Sequence, residues 1–153
     1  MTAAAAPVRL VDTHAHLDGR AFDADRADVM QRAADAGVAV ITVGVDMASS
    51  EAAVALAAQW EHVYAAVGVH PHDAQSLTAQ TLERLRALCR EPKVVAVGET
   101  GLDWYRNLSP RAAQLDAFAA HLRLAAETGL TVIVHNRDAD EDVLRVWATV
   151  PRL

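Results

Sequence analysis

The stretch VVAVGETGLDWYR, residues 94–106, is a short apolar run followed at once by polar residues. Residues 94–97 are apolar and mostly β-branched, which is typical of a strand buried on both faces of a parallel sheet. Glu99, Asp103 and Arg106 follow that run closely. Active sites of α/β proteins are built at the carboxyl ends of parallel strands, so the stretch favours an α/β enzyme.

Similar apolar runs lie both before and after this stretch in the sequence. Four further apolar runs have strand character, and we expect them also to be buried on both faces: residues 8–11, 38–45, 63–69 and 131–134. Segments with helical spacing separate the runs, so the β-α order repeats five times and predicts parallel strands with helical crossovers. An open doubly wound sheet and a β/α barrel both fit that order. Neither G-x-G-x-x-G nor G-x-x-x-x-G-K-[ST] occurs, so a nucleotide-binding open sheet has no support.

The clearest predicted helix lies within residues 109–129. Ser109 suits its N-cap, Pro110 its first turn and Gly129 its end. Four apolar residues at helical spacing predict its buried side: Leu115, Phe118, Leu122 and Ala126.

Two further helices have predicted ends. We expect Gly37 to end a helix that begins near Ala21. Residues 138–141 resemble a capping box that opens a final helix.

Composition predicts one globular domain without broad attraction to nucleic acid. The 153 residues are 52% hydrophobic and carry 14 Lys and Arg against 20 Asp and Glu, a formal net charge of −6. A phosphate substrate would therefore need local binding, by a metal or a few arginines. The single cysteine, Cys89, fits a packing role and a reducing compartment. Residues 1–9 lack the pattern of a secretory signal, and no apolar run is long enough for a membrane span, so we expect a soluble, cytoplasmic protein.

Unusual polar residues follow four of the five predicted strands. Side chains at i and i+2 of a strand share a face, so His14 and His16 can converge on one point. With Glu99 and His135 they offer three imidazoles and one carboxylate, which suits divalent transition ions, with Mg²⁺ or Mn²⁺ also possible. Glu99 is the candidate to bridge two ions that activate a water. His62 and His121 are interpreted as scattered surface histidines.

The remaining candidates lie at the same predicted edge. We expect His70 to face the site and His72 to pack or hydrogen-bond structurally. Arg106 and Arg137 could hold a phosphate with bidentate hydrogen bonds, with Asp103 beside them; a loop salt bridge between Asp103 and Arg106 is an equal alternative. Asp18 is expected only to hydrogen-bond backbone.

Together the motifs DTHAHLD, AGV, VGVHPHDA, VGETGLDWYR and VHNRDA resemble the TatD family of metal-dependent hydrolases, within the amidohydrolase-like barrels, over residues 10–146. The resemblance implies a TIM-type (β/α) barrel and metal-dependent hydrolysis of DNA. It implies two divalent ions (Mg, Mn or Zn) held by His14, His16, Glu99 and His135, with His70 as a further catalytic histidine beside Glu99.

This chain also departs from the family pattern. Family barrels have eight strands in roughly 250 residues, whereas five strands are predicted here. A family histidine after the sixth strand and an aspartate after the eighth have no counterpart. We therefore expect residues 1–153 to form a single C-terminally truncated domain, an incomplete barrel with exposed edges at the first and last strands. No stable protein partner is expected, although those edges allow self-association.

Two alternatives remain open. The first is amide or ester hydrolysis, as in related barrels that bridge two metals with a carboxylated lysine after the fourth strand. Lys93 lies at the start of that strand, which favours the nuclease-like chemistry. The second is a catalytically inactive metal-binding fragment or assembly partner. No serine lies in a G-x-S-x-G setting, so covalent catalysis by serine has little support.

Overall fold

A computed structural model describes residues 7–150 of the chain. Residues 1–6, which belong to the segment interpreted above as lacking a secretory signal, lie outside the described part. Five strands form one sheet: β1 (Leu10–Ala15), β2 (Val38–Val43), β3 (Val63–Val67), β4 (Val94–Asp103) and β5 (Thr131–Arg137). Five helices follow them: α1 (Arg26–Asp35), α2 (Met47–Gln59), α3 (Ala79–Leu88), α4 (Arg111–Thr128) and α5 (Asp140–Trp147). Short 3₁₀ helices span Arg20–Phe22 and Pro71–Ser76.

The sheet is parallel throughout, with the spatial order β1-β2-β3-β4-β5. A doubly wound sheet reverses its strand order at one point, whereas a β/α barrel adds each strand beside the last. The observed order is therefore that of a barrel, and the five units form a half-barrel. The predicted fold class, an incomplete TIM-type barrel, is confirmed.

The core fills the space between the sheet and its helices. One cluster joins Val63, Leu85 and Leu124 beneath the first four strands, and a second joins Leu102 to Phe118 beneath β4 and β5. A third cluster contains strand residues only, among them Val43, Ala66 and Ala96. Cys89 is buried and free, as expected of a packing residue, and burial raises the pKa of its thiol to about 11.

Three predictions about the strands need correction. Neither β1 nor β5 is buried on both faces, because within residues 7–150 each pairs with one neighbour: Val11 in β1 is 54% exposed, and every residue of β5 is half-buried or exposed. β4 and β5 run on to Asp103 and Arg137, beyond their apolar runs. Several polar candidates consequently lie within strands rather than in the loops after them.

The helix ends follow the sequence signals only in part. Gly129 ends α4 with φ +70° and Gly37 follows α1 with φ +69°, both as expected. Ser109 is not the N-cap of α4, since Pro110 occupies that position and the Ser109 hydroxyl donates to the His72 carbonyl at 2.7 Å. Pro110 thus lies one residue before the first turn for which it was predicted.

Three other helical predictions are wrong. α1 begins at Arg26, because the residues near Ala21 form a separate 3₁₀ turn. No side chain caps α5, whose N-cap is Ala139, so the predicted capping box does not form. Ala126 is exposed on α4, since the buried side of that helix is centred on Phe118 and Leu122 and turns toward Leu124 and Ala125.

His121 is not a surface histidine. It lies fully buried in α4, where its Nδ1–H donates to the Ala117 carbonyl and its Nε2 accepts from the Val69 amide at 3.0 Å. Burial lowers the pKa of His121 to about 4, because the charged ring would lose its hydration. The neutral ring thereby ties α4 to the chain just beyond β3.

Among residues 7–150, no helix is both long and apolar enough to cross a membrane.

Candidate metal centre

Four of the predicted ligands meet at the carboxyl end of the sheet. Glu99, in β4, lies between the histidines of β1 and β5. Its Oε2 is 3.2 Å from His14 Nε2, and its Oε1 is 3.1 Å from His135 Nδ1. One carboxylate thus presents one oxygen to each of two imidazoles, which is the arrangement of a bridging ligand.

His16 belongs to the same group, and a backbone carbonyl determines which of its ring nitrogens carries the proton. Its Nδ1 lies 2.9 Å from the carbonyl oxygen of Val43, which can only accept a hydrogen bond. Nδ1 therefore carries the proton and Nε2 keeps a free lone pair. Ligand atoms of His14, His16 and Glu99 all lie within 4.8 Å of one another.

His135 has a carboxylate oxygen at each of its ring nitrogens. Its Nε2 is 3.1 Å from Asp103 Oδ2, while its Nδ1 faces Glu99. When Nε2–H donates to Asp103, Nδ1 is left without a proton. A carboxylate–histidine pair of this kind commonly orients a metal-binding imidazole.

His70 faces the site, as predicted. Unlike His16, it presents an N–H to the site and not a lone pair. Its Nδ1 accepts the backbone N–H of His72 at 3.1 Å, so in the neutral ring the proton is on Nε2. That Nε2 lies 3.1 Å from His135 Nδ1 and 4.0 Å from Glu99 Oε1. Burial, followed by the nearby ring of His135, lowers the pKa of His70 to about 4. His70 therefore points a neutral N–H into the site.

Asp103 lies beneath these rings, fully buried, and not at the solvent-exposed rim. Its Oδ2 accepts from His72 Nε2 at 2.7 Å as well as from His135, and its Oδ1 accepts the Arg106 amide at 2.7 Å. Burial alone would raise the pKa of this carboxyl, but these hydrogen bonds hold it well below its usual range. The structural hydrogen bond expected of His72 is the one to Asp103.

The predicted phosphate-binding arginines are both exposed. The Arg137 guanidinium lies 4.0 Å from the centre of the Tyr105 ring, a cation–π contact. Arg106 approaches Asp103 through its backbone N–H; within residues 7–150 its guanidinium forms no ion pair with that carboxylate. Asp18 is expected to hydrogen-bond backbone; its Oδ1 is buried and finds no hydrogen-bond partner among the described residues.

The donor set fits divalent cations. Glu99 Oε1 and His135 Nδ1 are 3.1 Å apart, and neither carries a proton when His135 donates to Asp103. A cation between them would turn this repulsive contact into two ligand bonds. Imidazole nitrogens with a bridging carboxylate are ordinary ligands of Zn²⁺ and Mn²⁺.

Two supporting residues had no sequence signal. Gln114, buried in α4, accepts the Asp103 amide with its Oε1 at 2.8 Å, and His121 holds the residue next to His70. The helical pattern does not indicate these partners, because the contact of Gln114 spans 11 residues and that of His121 spans 52.

Fold and site together define a β/α-barrel protein of the metal-dependent hydrolase class. The family model for TatD related DNase matches residues 11–151. The chain therefore belongs to this family.

Curated relatives carry hydrolase and nuclease names. A Bacillus subtilis protein named uncharacterized metal-dependent hydrolase YabD is 39% identical over 138 residues, covering 90% of this chain and 54% of that protein. A Cronobacter sakazakii protein named 3'-5' ssDNA/RNA exonuclease TatD is 44% identical over 131 residues, covering 85% of this chain and 50% of that protein. The chain thus spans about half the length of these relatives.

Solved structures agree on the fold. A crystal structure of YJJV, a TatD homologue from Escherichia coli K12, superposes with a TM-score of 0.81 at 34% identity, covering 89% of this chain and 54% of that one. An uncharacterized amidohydrolase from Saccharomyces cerevisiae gives a TM-score of 0.78 at 22% identity, covering 92% of this chain and 51% of that one. The second likeness concerns the fold alone.

Proposed function

We propose that this chain carries part of the active site of a metal-dependent phosphodiesterase that hydrolyses DNA. The observation that carries the proposal is the position of Glu99, with one oxygen toward His14 and the other toward His135. A single carboxylate shared between two histidine groups suits a pair of ions and the in-line displacement that such pairs support.

His14, His16, Glu99 and His135 would hold two divalent ions, of which Mg²⁺, Mn²⁺ and Zn²⁺ are the candidates. Such ions supply a water of lowered pKa and neutralise charge on a phosphoryl oxygen. Glu99 would serve both groups, because each of its oxygens already faces a different imidazole.

His70 would contribute a hydrogen bond and not a lone pair. Its Nε2–H is directed into the site, and its low pKa keeps the ring neutral near pH 7. That Nε2 lies 3.1 Å from His135 Nδ1; when Nδ1 holds an ion, the N–H would be free to donate to a non-bridging phosphate oxygen, where a preorganised donor stabilises charge as it develops. Arg106 and Arg137 would hold neighbouring phosphates from the exposed rim.

Nucleic acid is the proposed substrate because the Cronobacter relative is named a 3'-5' ssDNA/RNA exonuclease. The net charge of −6 gives no broad attraction for a polyanion, so the substrate would depend on the ions and the rim arginines. In a complete barrel, a histidine and an aspartate from later strands would add ligands. Isolated residues 1–153, a truncated domain in this proposal, should hydrolyse DNA only weakly, at a level that an end-labelled substrate can detect.

The test uses the purified chain, stripped with chelator and reloaded separately with Mg²⁺, Mn²⁺ or Zn²⁺. End-labelled single-stranded DNA is the substrate, and products are separated on a denaturing gel. Metal-dependent cleavage that disappears in Glu99→Gln and persists in Glu91→Gln supports the proposal. Glu91 is a matched control, since it is exposed and precedes β4 at the opposite end of that strand.

Other outcomes favour the alternatives. Hydrolysis of esters or amides without cleavage of DNA would favour the amidohydrolase-like chemistry. Lys93 argues against it, since its ammonium donates to the carbonyls of Trp60 and Glu61 at the amino end of β4, away from the site. Metal binding lost on His14→Ala, without hydrolysis under any ion, would identify a catalytically inactive metal-binding fragment.

A further inference from the structure

The carboxylate of Asp103 lies behind the site, in contact with the rings of His72 and His135. It is fully buried, yet its Oδ2 accepts from two histidine rings, those of His72 and His135. A buried carboxylate with this many hydrogen bonds is fixed in place, because breaking any one would leave a charged group poorly solvated.

We propose that Asp103 is a positioning residue that selects the tautomer of His135 and thereby makes its Nδ1 the metal ligand. The inference rests on the proposed function for its consequence in catalysis, although the tautomer itself can be measured without metal. His72 completes the arrangement from the other side of the carboxylate, holding Oδ2 where His135 can reach it.

Two carboxylates compete for the single N–H of the neutral His135 ring, because Glu99 Oε1 lies 3.1 Å from Nδ1 and Asp103 Oδ2 lies 3.1 Å from Nε2; the contact with His70 decides between them. The amide of His72 fixes His70 as the Nε2–H form, and that N–H points at His135 Nδ1, 3.1 Å away. Were His135 protonated on Nδ1, two N–H groups would face each other. Asp103 removes this conflict by accepting a hydrogen bond from His135 on the far side of the ring, at Nε2–H.

Hydrogen bonds that involve backbone amides also fix the position of Asp103. Its own N–H donates to Gln114 Oε1 at 2.8 Å, and its Oδ1 accepts the Arg106 amide at 2.7 Å. β4 pairs Gly101 with His135 and Asp103 with Arg137, so the carboxylate and the ring belong to adjacent, hydrogen-bonded strands. Partners of this kind typically change metal affinity by about 10- to 100-fold when removed.

The experiment has two readouts on the full chain. Long-range ¹H–¹⁵N correlation spectra at pH 7.5, without metal, report which nitrogen of His135 carries the proton, and a His135→Gln sample assigns the signals. Calorimetric titration with Zn²⁺ then gives the dissociation constant. We expect wild-type His135 to be protonated on Nε2, Asp103→Asn to mix the two tautomers, and the Zn²⁺ dissociation constant to rise by about 10- to 100-fold.

Asp142→Asn is the matched control. Asp142 also accepts a ring N–H at the same end of the sheet, from Trp104 Nε1 at 2.9 Å, but it contacts none of the site histidines. Circular dichroism confirms folding of each variant. The control should leave both the tautomer of His135 and the Zn²⁺ affinity within about twofold of wild type.

Two results would overturn the proposal: an Nδ1–H tautomer in wild-type His135, or a folded Asp103→Asn that keeps both tautomer and affinity. The first needs no variant and decides the matter even if Asp103→Asn fails to fold. A wild-type chain that binds Zn²⁺ but cleaves no DNA would remove the proposed function and leave the role of Asp103 intact.

Discussion

Three histidines of the site differ at the level of single hydrogen bonds. His16 faces a carbonyl, His70 faces an amide N–H and His135 faces a carboxylate. A carbonyl or carboxylate oxygen accepts a hydrogen bond from a ring N–H, whereas an amide N–H donates one to a ring lone pair. The same side chain therefore offers a lone pair to the site at His16 and His135 and an N–H at His70.

Replacing Glu99 should abolish high-affinity metal binding. Glu99→Gln keeps the size of the side chain but loses its charge, and one oxygen becomes an NH₂ group that cannot bind a cation. Loss of a ligand should exceed the effect of losing a supporting residue, so we expect at least a 100-fold (~10²) weaker affinity for Zn²⁺ or Mn²⁺ by calorimetry. Glu91→Gln should bind like wild type; equal affinity in both variants would rule out Glu99 as a bridge.

The burial of His121 should appear as pH-dependent stability. Its pKa is about 4 in the folded chain and 6.5 as a model value, so between these pH values the unfolded state binds more protons. Its contribution is complete above pH 6.5 and is lost as the pH falls toward 4, by at most about 3 kcal/mol. Urea denaturation at pH 7.5 and pH 5 measures the difference.

His121→Gln isolates this contribution, because it removes the titrating ring and retains an amide able to hydrogen-bond. The variant should lose about 1–2 kcal/mol at pH 7.5 from its poorer hydrogen bonds. Its stability should then fall less than that of wild type on acidification. Parallel curves for the two proteins would mean that His121 does not titrate as its burial requires.

At the scale of elements, α4 supports the site from behind. It supplies Gln114 to the amide of Asp103 and His121 to the amide of Val69, so one helix fixes the ends of two strands. β4 and β5 extend the same support, because their pairing continues to Asp103 and Arg137. His14, Glu99 and His135 thus lie on strands, which hold side chains more tightly than loops do, and His16 directly follows β1.

The β4–β5 pairing depends on the absence of a side chain at Gly101. Its φ is +140°, and a Cβ there would collide with the carbonyl of His135. Gly101→Ala should therefore cost about 3 kcal/mol or more in unfolding free energy and displace His135. Gly129→Ala is the control: it shares a positive φ but meets open space, so about 1 kcal/mol is expected.

Chemical denaturation of both variants, together with Zn²⁺ titration, checks this prediction. If strain at a positive φ were the only effect, both substitutions would lower the unfolding free energy by similar amounts and leave the affinity for Zn²⁺ unchanged. Loss of Zn²⁺ affinity in Gly101→Ala only, measured where both variants are folded, would show that close strand approach positions the ligand.

At the scale of the whole molecule, the half-barrel leaves two edges of its sheet open. Within residues 7–150, β1 pairs only with β2 and β5 only with β4. Leu10 is 67% exposed and Val11 54%, so apolar side chains accompany the unpaired backbone groups of β1. Edges of this kind promote association between chains.

We expect the purified chain to associate reversibly as its concentration rises, through the edge of β1. Val11→Lys places a charge on that edge and should raise the dissociation constant by at least about tenfold. Leu144→Lys, a charge added at an equally exposed position on α5, should not. Sedimentation velocity over a range of concentrations distinguishes the two; a monomer at every concentration would contradict the expectation.

The sequence by itself determined the order of the elements and the choice of His14, His16, Glu99, His70 and His135 as candidates near the carboxyl ends of the strands. Such features are local, because an apolar run and the polar residues that follow it can be recognised from residues adjacent in the sequence. Only the tertiary structure decided the protonation of the rings, the burial of Asp103 and that of His121. The deciding contacts of His16, His135 and His121 lie 27, 32 and 52 residues away on other elements, and the spacing of residues along one chain does not encode which atoms packing brings together.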